Sequence, residues 1–562
     1  MSRKKISILF IILLFIFSCI FILPHDKAYI VEDVINSKSF ILNKKQYTLD
    51  QIEVFDTTFS AKNKRIAQSL NITEADAFLL GNLSKYWTSN LINRRKVYKT
   101  KENDLIFDRK SYKARFENSG YCLKNEKPYS IDLFNRKLYS IKKANYKVLD
   151  LDTNNIYSYK NPKVKELKNF VILRNSQIKR LGIIENLNTV QKVNQIVDKG
   201  KIKVLFSDST VNLFPKRDCS DSICKEILKN INNTNRSIDM AIYGYSHVPE
   251  IETALKKAIS RGVKIRLVYD IDSKGQNIYP NTNILTKLIP NNINDGDSVD
   301  YKNIMHNKFY IFDDKFLITG SANLSHTDLS GFNSNSIIIV DSPELAQIYK
   351  QEFEQMFKGN FHTEKKSFNR PEITINDTKL KAYFSPQDKA LTNAVIPLIE
   401  QARNYIYIPT FVLTEKRVTQ ALIDAKKRGV DVKILIDALN ASIRHSKHNK
   451  LRLGGIEVKT ENYAGKMHSK SMLIDDKYTI IGSMNFSNSG ENFNDENLLV
   501  ITDSKITKAY KDFFLYQWTK IDNKWLKYNV RAESKDSIGS CFDGLDNNYD
   551  GLTDSVDPAC RD

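Results

Sequence analysis

Met305–Ser325 reads MHNKFYIFDDKFLITGSANLS, and Met467–Ser487 reads MHSKSMLIDDKYTIIGSMNFS; eleven of the twenty-one positions are identical without a gap. A second pair lies upstream of these. Ala254–Asp270 (ALKKAISRGVKIRLVYD) and Ala421–Asp437 (ALIDAKKRGVDVKILID) share seven of seventeen positions. The offsets, 162 and 167 residues, describe one duplication of a domain-sized unit, not a short solenoid repeat. Each copy reads in the same order. A β-rich run (Ser237–Tyr243 and Tyr405–Phe411) leads to an amphipathic helix ending at Arg-Gly, then to an apolar strand (Val263–Tyr269 and Val430–Ile436). Gly262 and Gly429 fall where a helix needs a left-handed stop. A strand-turn-strand around Asp-Asp-Lys follows, then Ile337–Val340 or Leu498–Ile501, then a closing helix. This alternation predicts an α/β fold with helices on both faces of a mixed sheet in each copy.

Around the duplication, composition divides the 562 residues further. With 27% charged and 41% apolar residues, the chain is neither disordered, fibrous nor a multi-span membrane protein. The net charge of +20 is uneven: residues 1–200 carry +17, residues 201–530 carry +8 and residues 531–562 carry −5. The expected organisation is a signal anchor at 1–27 and a basic N-terminal domain at 28–200, then repeat halves at 201–365 and 366–530, and an acidic tail at 531–562. Three basic residues in Met1–Lys5 precede the apolar run Ile6–Leu23. As a helix over 6–23 that run spans roughly 27 Å, enough for one membrane crossing. The orientation expected from the basic cap puts the rest of the chain outside the cytoplasm, in a bacterial-type envelope. Cleavage as a signal peptide, or lipidation at a box-like Ile16-Phe17-Ser18-Cys19, stays open. Residues 28–200 are Lys- and Tyr-rich, with β-prone runs such as Ser39–Leu42 and Tyr146–Leu151 and a helix-like stretch near Glu74–Leu91. Cys219 and Cys224 enclose a short loop and Cys541 and Cys560 bracket the tail, which suits two local disulfides in an exported protein.

The chemistry sits in the repeated motif. His306-x-Lys308-x4-Asp313 and His468-x-Lys470-x4-Asp475 are each followed by Gly-Ser-x-Asn, at Gly320–Asn323 and Gly482–Asn485. Over about residues 201–530 this pattern resembles the phospholipase D superfamily. The resemblance implies a duplicated α/β sandwich: two mixed sheets flanked by helices about a pseudo-twofold axis, with one active site between the halves. To this the sequence adds a β-rich N-terminal region and an N-terminal membrane helix. The resemblance also implies phosphodiester cleavage through a phosphohistidine without a metal cofactor, in a monomer, since both halves are in one chain. The residue types fit. His and Lys two apart on a strand share a face, so each half offers an imidazole beside an ammonium. One His attacks phosphorus and the other protonates the leaving oxygen, while Lys308, Lys470, Asn323 and Asn485 stabilise the transition-state charge. Asp313 and Asp475 belong to the motif but have opposite strand parity, so an orienting or structural role is expected of them.

The copies differ after the motif. Asn494-Asp495-Glu496-Asn497 resembles the Asn-x-Glu-Asn of nuclease-like members, in which the Glu binds the active-site His. The first copy has Asn333-Ser334-Asn335-Ser336, so Ser334 or Asn335 replaces the carboxylate, depending on a one-residue gap. The expectation pairs Glu496 with His468 as general acid and leaves His306 as nucleophile, with the reverse assignment open. In the tail, Asp546, Asn548, Asp550, Leu552 (through its carbonyl), Asp554 and Asp557 occupy ligand positions of an EF-hand-like loop, predicting structural calcium. Three substrates remain in play for the same histidines. A membrane-anchored phospholipase D acting on lipid headgroups leads; a nuclease supported by the basic front follows; phosphatidyl transfer of the cardiolipin synthase type is third.

Overall fold

In the computed structural model, residues 28–92, 95–150, 155–168, 170–174, 195–296, 303–541, 543–554 and 557–560 are described. The expected anchor over 1–27 therefore lies outside the described residues. Among the described residues, no helix is long and apolar enough to cross a membrane. The chain divides into two units, residues 1–186 and 187–562.

The first unit is built on a six-stranded antiparallel sheet in the order Lys45–Thr48, Ser39–Leu42, Ala28–Asn36, Lys96–Lys99, Leu105–Phe107, Lys110–Ser111. The helix Glu74–Ile92 carries Phe78, Leu79 and Leu83 into a core with Val31, Val34, Phe40 and Phe107. A separate three-stranded sheet centres on Lys147–Asp150.

In the second unit the duplication becomes two eight-stranded mixed sheets of identical topology. The first runs Ile196–Asp198, Ile202–Phe206, Ser336–Asp341, Phe316–Gly320, Phe309–Phe312, Ser237–Ile242, Lys264–Tyr269, Asn292–Asn294. The second runs Ile373–Ile375, Thr378–Ser385, Glu496–Thr502, Tyr478–Gly482, Met472–Ile474, Tyr405–Thr410, Asp431–Ile436, Glu457–Thr460. The first sheet begins at Ile196, ahead of residue 201, because Ile196–Asp198 pairs with Lys203–Leu205. Each half has its own core. Ile223, Ile227, Leu255 and Leu267 pack in one; Val418, Leu422, Ile434 and Ile474 pack in the other. The helices Pro249–Ser260 and Lys416–Lys427 stop at Gly262 and Gly429, whose φ values of 86° and 95° suit a residue without Cβ.

The tail folds onto the second half. Ile538 pairs with Tyr463, Ala464 N donates to Ile538 O at 2.8 Å, and Asn547 Nδ2 donates to Ala464 O at 3.1 Å. Cys541–Cys560 and Cys219–Cys224 are both bonded, and Cys122 is a buried free thiol. Hydrogen bonds within the tail engage the residues expected around calcium. Asp546 is engaged by the amides of Asp550 and Gly551, and Asn548 Nδ2 bridges Asp550 and Asp557. Asp554 turns inward, where it accepts from Gly544 N. Leu552 N is held by Asp550. Among the described residues, no group of three or more His, Cys, Asp or Glu side chains could hold a metal ion.

Candidate active site

The seam between the halves is made by reciprocal backbone contacts. Met305 pairs with Asp495 and Met467 with Ser334; His306 N donates to Asp495 O at 2.9 Å, and His468 N to Ser334 O at 2.9 Å. Each motif histidine is thus pinned to the opposite half. The His-x-Lys segments are not ladder strands, as parity alone suggested, but extended lead-ins to strands Phe309–Phe312 and Met472–Ile474. The alternation survives in the extended backbone, and His306, Lys308, His468 and Lys470 are all buried.

The cross-seam geometry corrects one expectation. Glu496 does not bind His468: its Oε2 lies 2.8 Å from His306 Nδ1 in the first half. His468 Nδ1 lies 3.0 Å from Asn335 Oδ1, so Asn335, not Ser334, is the counterpart of Glu496. The physical reason is the seam itself: the segment entering each Glu496- or Asn335-bearing strand runs beside the other half's histidine. Each partner is held by the serine of a Gly-Ser pair. Ser483 Oγ donates to Glu496 Oε2 at 2.7 Å, and Ser321 Oγ to Asn335 Oδ1 at 2.8 Å. The glycine before each serine is required by close approach: a Cβ on Gly320 or Gly482 would lie 2.2 Å from the carbonyl oxygen of Ser336 or Asn497.

Burial dominates the electrostatics. It lowers His306 to about 4 even though Glu496 pulls the other way. His468 falls well below the ordinary histidine value through burial and the nearby Lys470 and Lys308. Burial likewise lowers Lys308 to about 8 and takes Lys470 well down. Each ammonium donates to the carbonyl of the histidine two residues before it, at 2.9 Å from Lys308 and 2.6 Å from Lys470. The buried Oδ1 atoms of Asn323 and Asn485 carry no hydrogen bond among the described residues, so these ends of the carboxamides are uncommitted.

Asp313 and Asp475 are not in this cluster. Asp313 accepts from the amides of Asn235, Arg236 and Ser237, and Asp475 from those of Arg403, Asn404 and Tyr405, so each clamps the start of a central strand. Burial would raise the Asp313 carboxyl, but the three amides outweigh it and hold the group below its ordinary value.

Three neighbours were not singled out from sequence. Tyr243 packs edge-on to His306 at 5.0 Å, and Phe411 to His468 at 4.9 Å. The same rings lie under Lys308 and Lys470 at 5.2 and 4.7 Å. The signal was present: both residues end the duplicated β-rich runs. Buried Asp328 is the third. It accepts from Asn335 Nδ2 at 3.0 Å and lies 3.7 Å from His468 Nδ1, standing behind the neutral partner of His468.

The site brings together two imidazoles, two ammonium groups and two carboxamides, the kinds of group that phosphoryl transfer uses. Several known proteins are similar to this chain. The family model described as "Cardiolipin synthase, PLD-like domain" matches residues 227–357 and 395–518. The phospholipase D of Rickettsia bellii is 35% identical over 136 residues, covering 24% of this chain and 67% of that protein. That of Rickettsia typhi is 30% identical over 154 residues, covering 25% and 76%. The mitochondrial cardiolipin hydrolase of Xenopus laevis is 26% identical over 148 residues, covering 26% and 70%. Among solved structures, the phospholipase D family member Nuc from Salmonella typhimurium is 28% identical, covers 27% of this chain and 99% of that one, and has a TM-score of 0.25. A family model matched in both halves, and the phospholipase D relatives at 30% identity or more, lead to one conclusion: the chain belongs to the phospholipase D family of phosphodiesterases.

Proposed function

We propose that the enzyme hydrolyses phospholipid headgroup esters through a phosphohistidine on His306. The observation that carries this reading is the unequal pairing of the two histidines, with Glu496 on His306 and Asn335 on His468. A carboxylate accepting the Nδ1 proton fixes the tautomer that bares Nε2 and makes that nitrogen more nucleophilic. His306 Nε2 attacks phosphorus while the P–O bond to the leaving alcohol breaks, and His468 supplies the proton that the alkoxide takes. Water then attacks the phosphohistidine, giving its proton to His468, and the P–N bond breaks to free His306. An amide partner stabilises imidazolium less than a carboxylate does, so protonated His468 is the stronger acid. The bound phosphodiester offsets the charge of Lys308 and Lys470, which favours the protonated form of His468 once substrate is present.

Relatives named phospholipase D and cardiolipin hydrolase support a lipid substrate. The two disulfides support a site of action outside the cytoplasm, in keeping with an anchor over 6–23. The test incubates the purified enzyme, with EDTA, against phospholipid vesicles and against single- and double-stranded oligonucleotides. Headgroup release is the expected result. Oligonucleotide cleavage with no headgroup release overturns the lipid reading in favour of a nuclease.

A further inference from the structure

The two halves present the same backbone two residues before each catalytic histidine but different side chains. Ile304 O accepts from Asp495 N at 3.0 Å, and Lys466 O accepts from Ser334 N at 2.8 Å. At this matched, half-buried position the first half has Ile304 and the second Lys466. In extended chain, Lys466, His468 and Lys470 share one face, successive members about 7 Å apart. At this position the second half therefore carries a cation where the first half has none.

Lys466 is also held in a definite way. Its Nζ donates to the hydroxyl of Tyr549, at the tip of the tail loop, and lies 4.3 Å from the centre of that ring. Its backbone N donates to Asn333 Oδ1 at 2.9 Å. Among the described residues Lys466 makes no ion pair with a carboxylate, unlike the buried Lys365, which is paired with Glu352 and Asp495. Tyr549 is 68% exposed, so the pair lies at the surface, and the Lys466 charge is among those that hold His468 below its ordinary value. The strap bearing Lys466 is fixed against the first half, since Gly465 packs on the carbonyl of Phe332 too closely for any side chain.

We propose that Lys466, steadied by Tyr549, is a specificity-determining residue: it forms a second phosphate subsite on the His468 side and selects substrates with another phosphodiester beside the scissile one. The inference rests on the reading above, in which His468 protonates the leaving group, so the second phosphate belongs to the departing part. A lipid with two phosphodiesters joined through glycerol has this chemistry, and so does a polynucleotide strand. An ammonium at one chain position, with an aliphatic residue at its symmetry mate, discriminates between the two ends of such a substrate.

The test compares kcat/KM for cardiolipin against phosphatidylglycerol in mixed micelles, and for the trinucleotide dTpTpT against dTpT. The enzymes are wild type, K466Q, K466R and Y549F. The wild type should favour the two-phosphate substrate of whichever pair it cleaves. K466Q should reduce that preference at least tenfold, through KM with kcat little altered, and K466R should restore most of it. Y549F, a change at an exposed position, should reduce the preference several-fold even if K466Q folds poorly. A wild type without the preference, or variants that slow both members of a pair equally, overturns the subsite. Cleavage of the nucleotides alone, with a preference that depends on Lys466, overturns the lipid reading and leaves the subsite standing.

Discussion

At the residue scale, the proposed division of labour rests on the pair His306–Glu496. Glu496 is fully buried and its Oε2 is shared between His306 Nδ1 and Ser483 Oγ. Replacing Glu496 with Gln keeps the shape and removes the charge that favours a basic His306 Nε2. We expect kcat/KM to fall about 100-fold. Because Glu496 works against the burial that lowers His306 to about 4, the same change should move the acid limb of the kcat/KM profile to lower pH. A pH–rate profile of E496Q on bis(p-nitrophenyl) phosphate checks both; an unmoved limb with undiminished rate would remove Glu496 from the mechanism. Sequence showed Glu496 as a histidine partner but pointed to His468, where the structure pairs it with His306. His468 is 28 residues away in the chain and His306 is 190. Only the arrangement across the seam decides between them, and no local pattern encodes it.

At the scale of elements, the seam depends on tight backbone approach and on a buried charge network. A Cβ on Gly465 would meet Phe332 O at 1.6 Å, so G465A must push the Lys466–His468 strap off the first half. A loss of about 3 kcal/mol in urea unfolding is expected, with loss of activity. Beneath the same seam His362 lies 3.0 Å from Asp495 and 3.5 Å from Asp295, with Lys365 bridging Asp495 and Glu352. Burial alone would lower His362, but the two carboxylates outweigh it and push the imidazole up to about 9. A histidine raised on folding contributes stability that is complete below its unfolded value near 6.5 and fades as pH rises through 9. Unfolding free energy should therefore drop by on the order of 3 kcal/mol between pH 6 and pH 10 from this group. H362Q should flatten that slope, and an equally steep slope in H362Q would refute the assignment. These elements were half legible. The helix stops at Gly262 and Gly429 and the Asp-Asp-Lys turns follow from local chemistry. The network was not, because His362, Lys365 and Glu352 show no periodic signal and gain meaning only when folding buries them together.

Across the whole molecule, the motif histidines and lysines and their partners all lie in residues 187–562, which form a unit with two cores of their own. That segment expressed alone should keep phosphodiesterase activity on bis(p-nitrophenyl) phosphate within about threefold of the full chain; a larger loss would mean the first unit contributes to the site. The duplication made this architecture readable, because two copies of a motif specify two matching sheets. The first unit offered no such internal comparison. Its strands are two to nine residues long, and a six-stranded order with its first strand at the centre is set by packing under the helix Glu74–Ile92, not by local pattern. The tail loop matches a calcium pattern in its spacing, and its carboxylates accept from backbone amides and from the Asn548 carboxamide.

The central claim is that His306 becomes covalently phosphorylated and His468 does not. Its most direct test is mass spectrometry of peptides from H468N and H306N quenched during reaction with bis(p-nitrophenyl) phosphate, whose leaving group needs no proton. H468N should accumulate the p-nitrophenylphosphoryl adduct on the peptide containing His306, and H306N should form none. An adduct on the His468 peptide of H306N, with none trapped in H468N, would contradict the account.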